Sequence, residues 1–411
     1  MPDALTHSLL TRAALALQPA PLPASERLIR DYCLYPDEYF SARWQEIAPY
    51  CPFLDGIQFH YLPDICWNPL YRYWKMEDGH PVRPVPFDNA NFRHAHAGFR
   101  HCIGHAVREF RAGREDAGSR HLGVLLHVLE DSTFGMHALE GPGGADLAFL
   151  DRLFEGRPIP TELLAGLRWR DPEPRLDYMP CSLGDSVDEL VMRLYAAYCQ
   201  TAVAARRLCV NYIMDSRAGR CGKTGSCVRP MGEATIRLCA DVICTVRQLA
   251  RGEAMAQPDP LRLETLEAFE FPFGGFGPYR FRSLTHDYVP GEAGESPLAL
   301  QLGSTRYEHG LAFGSHNEGR LLYWIAPGSF RLLTAKCGLH PAFPVAGAVS
   351  VTLMNDGKSI GGFQLDSSSP EVLVSISEPR NAVGLSFCST PACGVIVLAS
   401  PELHRSTPRI Q

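Results

Sequence analysis

Between residue 5 and about residue 255, apolar positions recur at three- and four-residue spacing, in LTHSLLTRAALAL, FRHCIGHAVREF, HLGVLLHVLEDS, VDELVMRLYAAYCQTAVAARRL and MGEATIRLCADVICTVRQLARG. Such spacing gathers the apolar side chains on one face of each segment, which predicts amphipathic helices. After about residue 255 the pattern changes to short alternating runs, RLLYWIA, FRLLTAKC, AVSVTLMN, EVLVSIS, AVGLSFC and GVIVLAS, separated by PG, NDG and SSSP. A period of two between turn residues predicts antiparallel strands, and a β-sandwich of jelly-roll-like type fits best. The expectation is a multidomain chain: an all-α domain over 1–255, a linker over 256–274 and an all-β sandwich over 275–411.

The length of 411 residues agrees with two or three domains. Hydrophobic residues make up 45% and charged residues 20%, the balance of a globular chain rather than a disordered or fibrous one. A net charge of −6 without a Lys/Arg run gives no track for a phosphate backbone, which argues against duplex nucleic acid. No apolar run reaches the roughly 18–20 residues that span a bilayer, and MPDALTHSLLTRAALALQP lacks a signal-peptide core. A cytoplasmic chain without a cleaved leader is therefore expected. The 14 cysteines are scattered, many within apolar runs such as RLCADVICTV, which predicts buried free thiols. Cys221 and Cys227 flank RCGKTGSC, with the spacing of a local disulfide or of half a zinc site.

The densest chemistry lies in HLGVLLHVLEDSTFGMHALEGPGG. His127 and Asp131, four residues apart, share one helix face and can grip one ion; His137 follows beyond Gly135, which can turn the chain. Imidazole and carboxylate suit zinc. Alone, an HxxxD pair is an ordinary solvated helix surface. THSLL, YPDEY and QFHYLPD supply the support from elsewhere in the chain.

Together these segments, over about residues 2–160, resemble the zinc-dependent phospholipases C and single-strand-specific nucleases, and the catalytic domain of glycosylphosphatidylinositol-specific phospholipase D. The resemblance implies an all-α fold with two or three Zn²⁺ ions. Their implied ligands are His7, Asp37, His60, His127, Asp131 and His137, with the N-terminal amine of Pro2, exposed once Met1 is removed, as a further ligand. The family has a proline where this chain has Gly135, and a later His followed by an acid four residues on. Here no histidine lies between His137 and His286. By spacing, Asp151 and Glu155, with Asp146 as a competitor, stand in for that pair. The implied activity is hydrolysis of a phosphodiester or phosphomonoester, phospholipase C-like or nuclease-like, by water activated at the metal centre. Asp37 and Asp131 are the implied catalytic carboxylates.

The long loop at 50–92 is rich in Pro, Tyr and Trp, and loops of that length are usually functional. Phe59, Tyr61, Trp67 and Tyr71 are its candidates for a wall that receives a lipid or a base, with core packing as the alternative. His94, His96, His101 and His105 in FRHAHAGFRHCIGHAVREF are read as supporting or structural, although His101 and His105 have metal-binding spacing.

Residues 275–403 resemble the NPCBM type of carbohydrate-binding module, on PLALQLGSTRYEHGLAFGSHNEGRLLYWI, FRLLTAKCGLHPAF and GAVSVTLMNDGKSI. That resemblance implies a glycan partner, with Tyr307, His309, His316 and Asn317 as candidate contacts. The module's usual acidic, His- and Trp-bearing last strand is replaced by ACGVIVLASPEL, so a structural or docking role stands beside sugar binding. For the whole chain, two other readings remain beside phosphoester hydrolysis. One is a non-enzymatic glycan- or protein-binding protein with a degenerate structural metal site; the other is a metalloenzyme of the same fold turned to a different substrate.

Overall fold

A computed structural model of the chain describes residues 3–38, 41–51, 75–77, 80–83, 89–135, 163, 165–220, 225–253, 256–270, 284–289, 296–314, 318–343, 345, 347–369, 371–389 and 394–406. These form two compact units, one within Met1–Pro84 and Ala90–Gln257, the other within Pro258–Gln411. The first unit is mainly helical and the second is built of antiparallel sheets.

Eight α-helices shape the first unit among the described residues: α1 Ala4–Ala16, α2 Ser25–Arg30, α3 Tyr35–Glu38, α4 Trp44–Ile47, α5 Asn89–Arg111, α6 Glu115–Thr133, α7 Val187–Arg217 and α8 Gly225–Arg251. A 3₁₀ turn, Tyr32–Leu34, runs directly into α3, and a two-stranded ribbon pairs β1 Lys75–Glu77 with β2 His80–Arg83. Local chemistry sets several ends. Asp3 caps α1 by accepting from Thr6 N, and Ser186 caps α7 by accepting from Glu189 N, each satisfying an otherwise orphaned amide. Asp188 and Glu189 add favourable charge at the α7 N-terminus. Gly252, in the left-handed region, follows the last turn of α8.

The core of this unit centres on α6, where twelve of the fourteen residues from Gly118 to Asp131, all but Arg120 and Asp131, are buried. Leu122, Leu125, Leu126 and Leu129 are fully or almost fully buried, each contributing about 1.5–3 kcal/mol relative to exposure. Two glycines bring neighbours closer than any side chain would allow. A Cβ on Gly118 would lie 2.6 Å from the Phe110 ring, and one on Gly123 would lie 2.6 Å from the Tyr32 carbonyl. Helix α6 is thereby pressed against both α5 and the 3₁₀ turn. No helix among the described residues is long and apolar enough to cross a membrane.

The second unit holds β3 Leu261–Arg262, β4 Ala268–Glu270, β5 Thr285–His286, β6 Leu300–Leu302, β7 Thr305–Tyr307, β8 Gly310–Gly314, β9 Glu318–Ile325, β10 Leu332–Leu339, β11 Val349–Asn355, β12 Lys358–Leu365, β13 Glu371–Ser377, β14 Asn381–Ser389 and β15 Val395–His404. One sheet has the order β13-β10-β15-β8-β5 with β3 added on β15; the other runs β12-β11-β14-β9-β4. The rings of Phe313 on β8 and Phe387 on β14 meet at 5.4 Å, so the inner faces of the two sheets pack together as a sandwich. Strands β3 and β4 lie within the 256–274 span expected as a linker; they pair with β15 and β9. At two and three residues they are too short to show a period of their own.

Gly384 marks the tightest approach in this unit. At φ 153°, a Cβ there would lie 1.9 Å from the Leu321 carbonyl oxygen of the paired strand β9. Gly384→Ala is expected to cost about 2–3 kcal/mol through overpacking and backbone strain, read as a lowered midpoint in thermal or urea unfolding.

Eleven cysteines among the described residues are free thiols, and only Cys181 and Cys388 of these are exposed. Cys227 is one of the buried free thiols, while Cys221 lies outside the described residues.

Candidate metal centre

Three segments converge beside the C-terminal half of α6. His7 sits on the first turns of α1 and is fully buried, with Thr11 one turn later on the same face. Both reach the wholly buried carboxylate of Glu130: His7 Nδ1 donates to Oε2 at 2.8 Å and Thr11 Oγ1 donates to Oε1 at 2.7 Å. His127 and Asp131 project from α6 one turn apart. His127 Nδ1 lies 2.6 Å from the Cys33 carbonyl, which can only accept, so the proton of a neutral His127 sits on Nδ1.

Both imidazoles thus turn Nε2 toward the same space. His7 Nε2 is 3.4 Å from Asp131 Oδ1, and His127 Nε2 is 3.2 Å from Asp131 Oδ2 and 3.7 Å from Asp37 Oδ1. The two rings stack at 4.0 Å with planes 13° apart. Ligand atoms of His7, His127 and Asp131 all lie within 4.8 Å of one another. Asp37 and Asp131 keep partial access to solvent, whereas both histidines are buried.

The donor set suits a cation. Three carboxylates, Asp37, Glu130 and Asp131, surround two imidazoles. Burial alone would lower the His7 imidazole, but hydrogen bonding to Asp131 and then to Glu130 raises it to about 10. Burial pushes the Glu130 carboxyl up, while His7 pulls it back. His7 Nε2 is a buried ring nitrogen that faces Asp131 Oδ1 at 3.4 Å. Two imidazole nitrogens and a carboxylate around such an atom fit a divalent ion of the zinc class. Glu130 and the Cys33 carbonyl then occupy the outer positions that orient metal-binding histidines. Glu130→Gln is accordingly expected to weaken Zn²⁺ binding by about 10–100-fold, measured by competition with a chromogenic chelator.

Of the residues singled out from the sequence, the structure brings together His7, Asp37, His127 and Asp131. Pro2, Phe59, His60, Tyr61, Trp67, Tyr71, His137, Asp151 and Glu155 lie outside the described residues. Glu130, Thr11 and the Cys33 carbonyl are additions. The readable signals were a carboxylate inside the apolar run LLHVLEDSTF and a hydroxyl one turn after His7. Gly135, expected to turn the chain, takes up the left-handed conformation at φ 75°.

A second histidine group lies between α5 and α6. His101, His105 and His121 are in mutual ring contact, and the sequence pattern does not single out His121. In the β unit the ring of Tyr307 packs against the Val289, Leu300 and Val397 core, under the Lys336 ammonium. His309 lies 2.8 Å from Arg262 Nη1 and 3.7 Å from Asp287. His316 and Asn317 lie outside the described residues.

No family model and no curated protein matches the chain. Among solved structures the chain is similar to the Clostridium perfringens alpha-toxin of an avian strain. The two are 10% identical over 93% of this chain and 85% of the toxin, at a TM-score of 0.30. It is also similar to a family 51 carbohydrate-binding module from a Clostridium perfringens glycoside hydrolase, solved with methyl-galactose. There the identity is 11%, the coverage 35% of this chain and 99% of the module, and the TM-score 0.28. A third likeness is to a Clostridium perfringens M60 catalytic domain joined to two family 51 modules, 15% identical over 36% of this chain with a TM-score of 0.29. This chain spans only 15% of that one's length. TM-scores this low do not carry a fold from one chain to another, so the reading of the site rests on its own geometry.

Proposed function

We propose that the helical unit is a zinc-dependent phosphoesterase of the phospholipase C and single-strand nuclease type. The observation that carries this reading is the convergence of His7 Nε2, His127 Nε2, Asp131 and Asp37 on one partly open space, with each Nδ1 tied to an outer acceptor. His7, His127 and Asp131 would hold the metal, joined in the proposal by Asp37 and, from the sequence resemblance, His60, His137 and the Pro2 amine. A Zn²⁺ centre of two or three ions supplies Lewis acidity there, acidifying water and neutralising charge on phosphoryl oxygens.

The chain's own residues perform the rest. Glu130 and the Cys33 carbonyl fix the tautomer and tilt of the two imidazoles, so little reorganisation is needed when substrate arrives. Asp37 reaches the site edge with about a third of its side chain exposed, where it can accept the proton of an attacking water. The burial of His7 and His127 keeps bulk water off the inner side. A lipid-like phosphoester is preferred to a polynucleotide because the net charge is −6.

For the β unit, glycan binding rests on the sequence resemblance to NPCBM modules. Tyr307, partly buried against the core, is one of its candidate contacts together with His309, His316 and Asn317.

The test is to strip the full chain with a chelator, restore Zn²⁺, and measure metal content together with hydrolysis of bis-(p-nitrophenyl) phosphate and of short-chain phosphatidylcholine. Metal-dependent hydrolysis of either is the expected result. Bound zinc without hydrolysis of any phosphoester would sink the reading in favour of a structural metal site.

A further inference from the structure

Helices α5 and α6 form an antiparallel hairpin through the short turn Ala112–Arg114, and the Gly118–Phe110 contact holds them in close apposition at that end. His101 and His105 stand one turn apart on α5, and His121 of α6 faces them. The ring centroids lie 4.2 Å apart for His101 and His105, 4.7 Å for His105 and His121, and 5.8 Å for His101 and His121. One nitrogen from each ring can be chosen so that all three lie within 4.8 Å of one another. His121 is 6% exposed, and its Nδ1 is buried without a hydrogen-bond partner. The Tyr50 ring closes the opposite side, edge-on to His121 at 4.8 Å.

We propose that His101, His105 and His121 form a second site, separate from the His7–His127–Asp131 centre, for one divalent ion of the zinc, copper or nickel class. The donor set selects this class: three imidazoles without a carboxylate suit borderline transition metals and reject Mg²⁺ and Ca²⁺. Tetrahedral Zn–N bonds of about 2.05 Å require nitrogen atoms about 3.4 Å apart. The two α5 rings are partly accessible and would rotate about His121 to bring nitrogens now within 4.8 Å to that spacing. His121 and His127 are six residues apart on α6, roughly 240° around the helix, so the two sites occupy different faces. Three histidines leave one coordination position for water, and an ion here ties α5 to α6.

One neighbour competes for the site. Arg108 Nη2 donates to His105 Nδ1 at 2.7 Å, so metal binding either uses that nitrogen in place of Arg108 or moves the proton onto it. In both cases the guanidinium opposes the ion, and Arg108→Gln is expected to tighten binding by about twofold to fivefold.

The experiment uses the full chain, chelator-stripped and titrated with Zn²⁺, with ions per chain counted by mass spectrometry. Co²⁺ serves as the visible-absorption probe of nitrogen ligation. His105→Gln, at a partly accessible position, is expected to bind one ion fewer than the wild type, or the same ion at least about tenfold more weakly. His121→Gln should do the same if circular dichroism shows it folded; if it does not fold, His105→Gln decides. Asp131→Asn serves as the reference for the first centre, and its loss should add to that of His105→Gln in the double variant. Wild-type stoichiometry and affinity in His105→Gln would overturn the proposal, whatever happens at Asp131.

Discussion

Asp131→Asn is expected to abolish metal-dependent phosphodiester hydrolysis, lowering kcat/KM by about a thousandfold or more, equivalent to about 4 kcal/mol of transition-state stabilisation. The size follows from position: the two oxygens of Asp131 face His7 Nε2 and His127 Nε2 separately, so this one carboxylate joins both halves of the donor set. An amide keeps the shape and loses the charge. A second readout comes from His7 in chelated protein. Its imidazole is raised from 6.5 to about 10, so the stability it confers is fully present below about 6.5 and is lost as pH rises through about 10. The unfolding midpoint of the chelated wild type should therefore fall over that window. Asp131→Asn should flatten the fall, because the strongest upward pull on His7 has gone. Wild-type zinc content and turnover in Asp131→Asn would remove this carboxylate from the centre.

Gly123→Ala is expected to disable the same centre without touching a ligand. The added methyl would sit 2.6 Å from both the carbonyl carbon and oxygen of Tyr32, backbone atoms that cannot swing aside as a long side chain would. The 3₁₀ turn must retreat, carrying with it the Cys33 carbonyl that holds His127 at 2.6 Å and, through the next few residues, Asp37. Overpacking costs about 1–3 kcal/mol of stability, and misplacing an outer ligand costs about 10–100-fold in metal affinity. The measurement is a Zn²⁺ titration beside thermal unfolding. A protein that unfolds several degrees lower yet binds zinc as the wild type does would separate the close approach from the site. Gly118→Ala is a useful control, since its neighbour is the rotatable Phe110 ring.

Much of the architecture is legible in the sequence because period and element agree over long stretches. VDELVMRLYAAYCQ starts at the first residue of α7, directly after its Ser186 cap, and MGEATIRLCADVICTVRQLAR lies within Gly225–Arg251. The runs RLLYWIA, EVLVSIS and GVIVLAS fall on β9, β13 and β15. What the sequence hides is whatever depends on a distant partner. Glu130 stands inside the apolar run LLHVLEDSTF, but its partners His7 and Thr11 come from α1, far away in the chain. The role of Cys33 is carried by a backbone carbonyl, which has no sequence signature. His121 is visible as a residue but not as a neighbour of His105, because that contact depends on how the α5–α6 hairpin closes. Tyr307, which the module resemblance marks for ligand contact, is partly buried against the Val289, Leu300 and Val397 core, a packing that its own run does not show.

The tie between His7 and Glu130 spans 123 residues, that between Thr11 and Glu130 spans 119, and that between His127 and Cys33 spans 94. Each closes a long stretch of chain, so the centre cannot assemble locally as a short metal-binding loop does. On a ribosome, α1 emerges long before the carboxylate that completes its buried face, and it waits with His7 and Thr11 unsatisfied. Metal capture at the proposed centre would then be a late event that reports the finished topology of the helical unit, and chelation would act at a distance on the order in which its helices come apart.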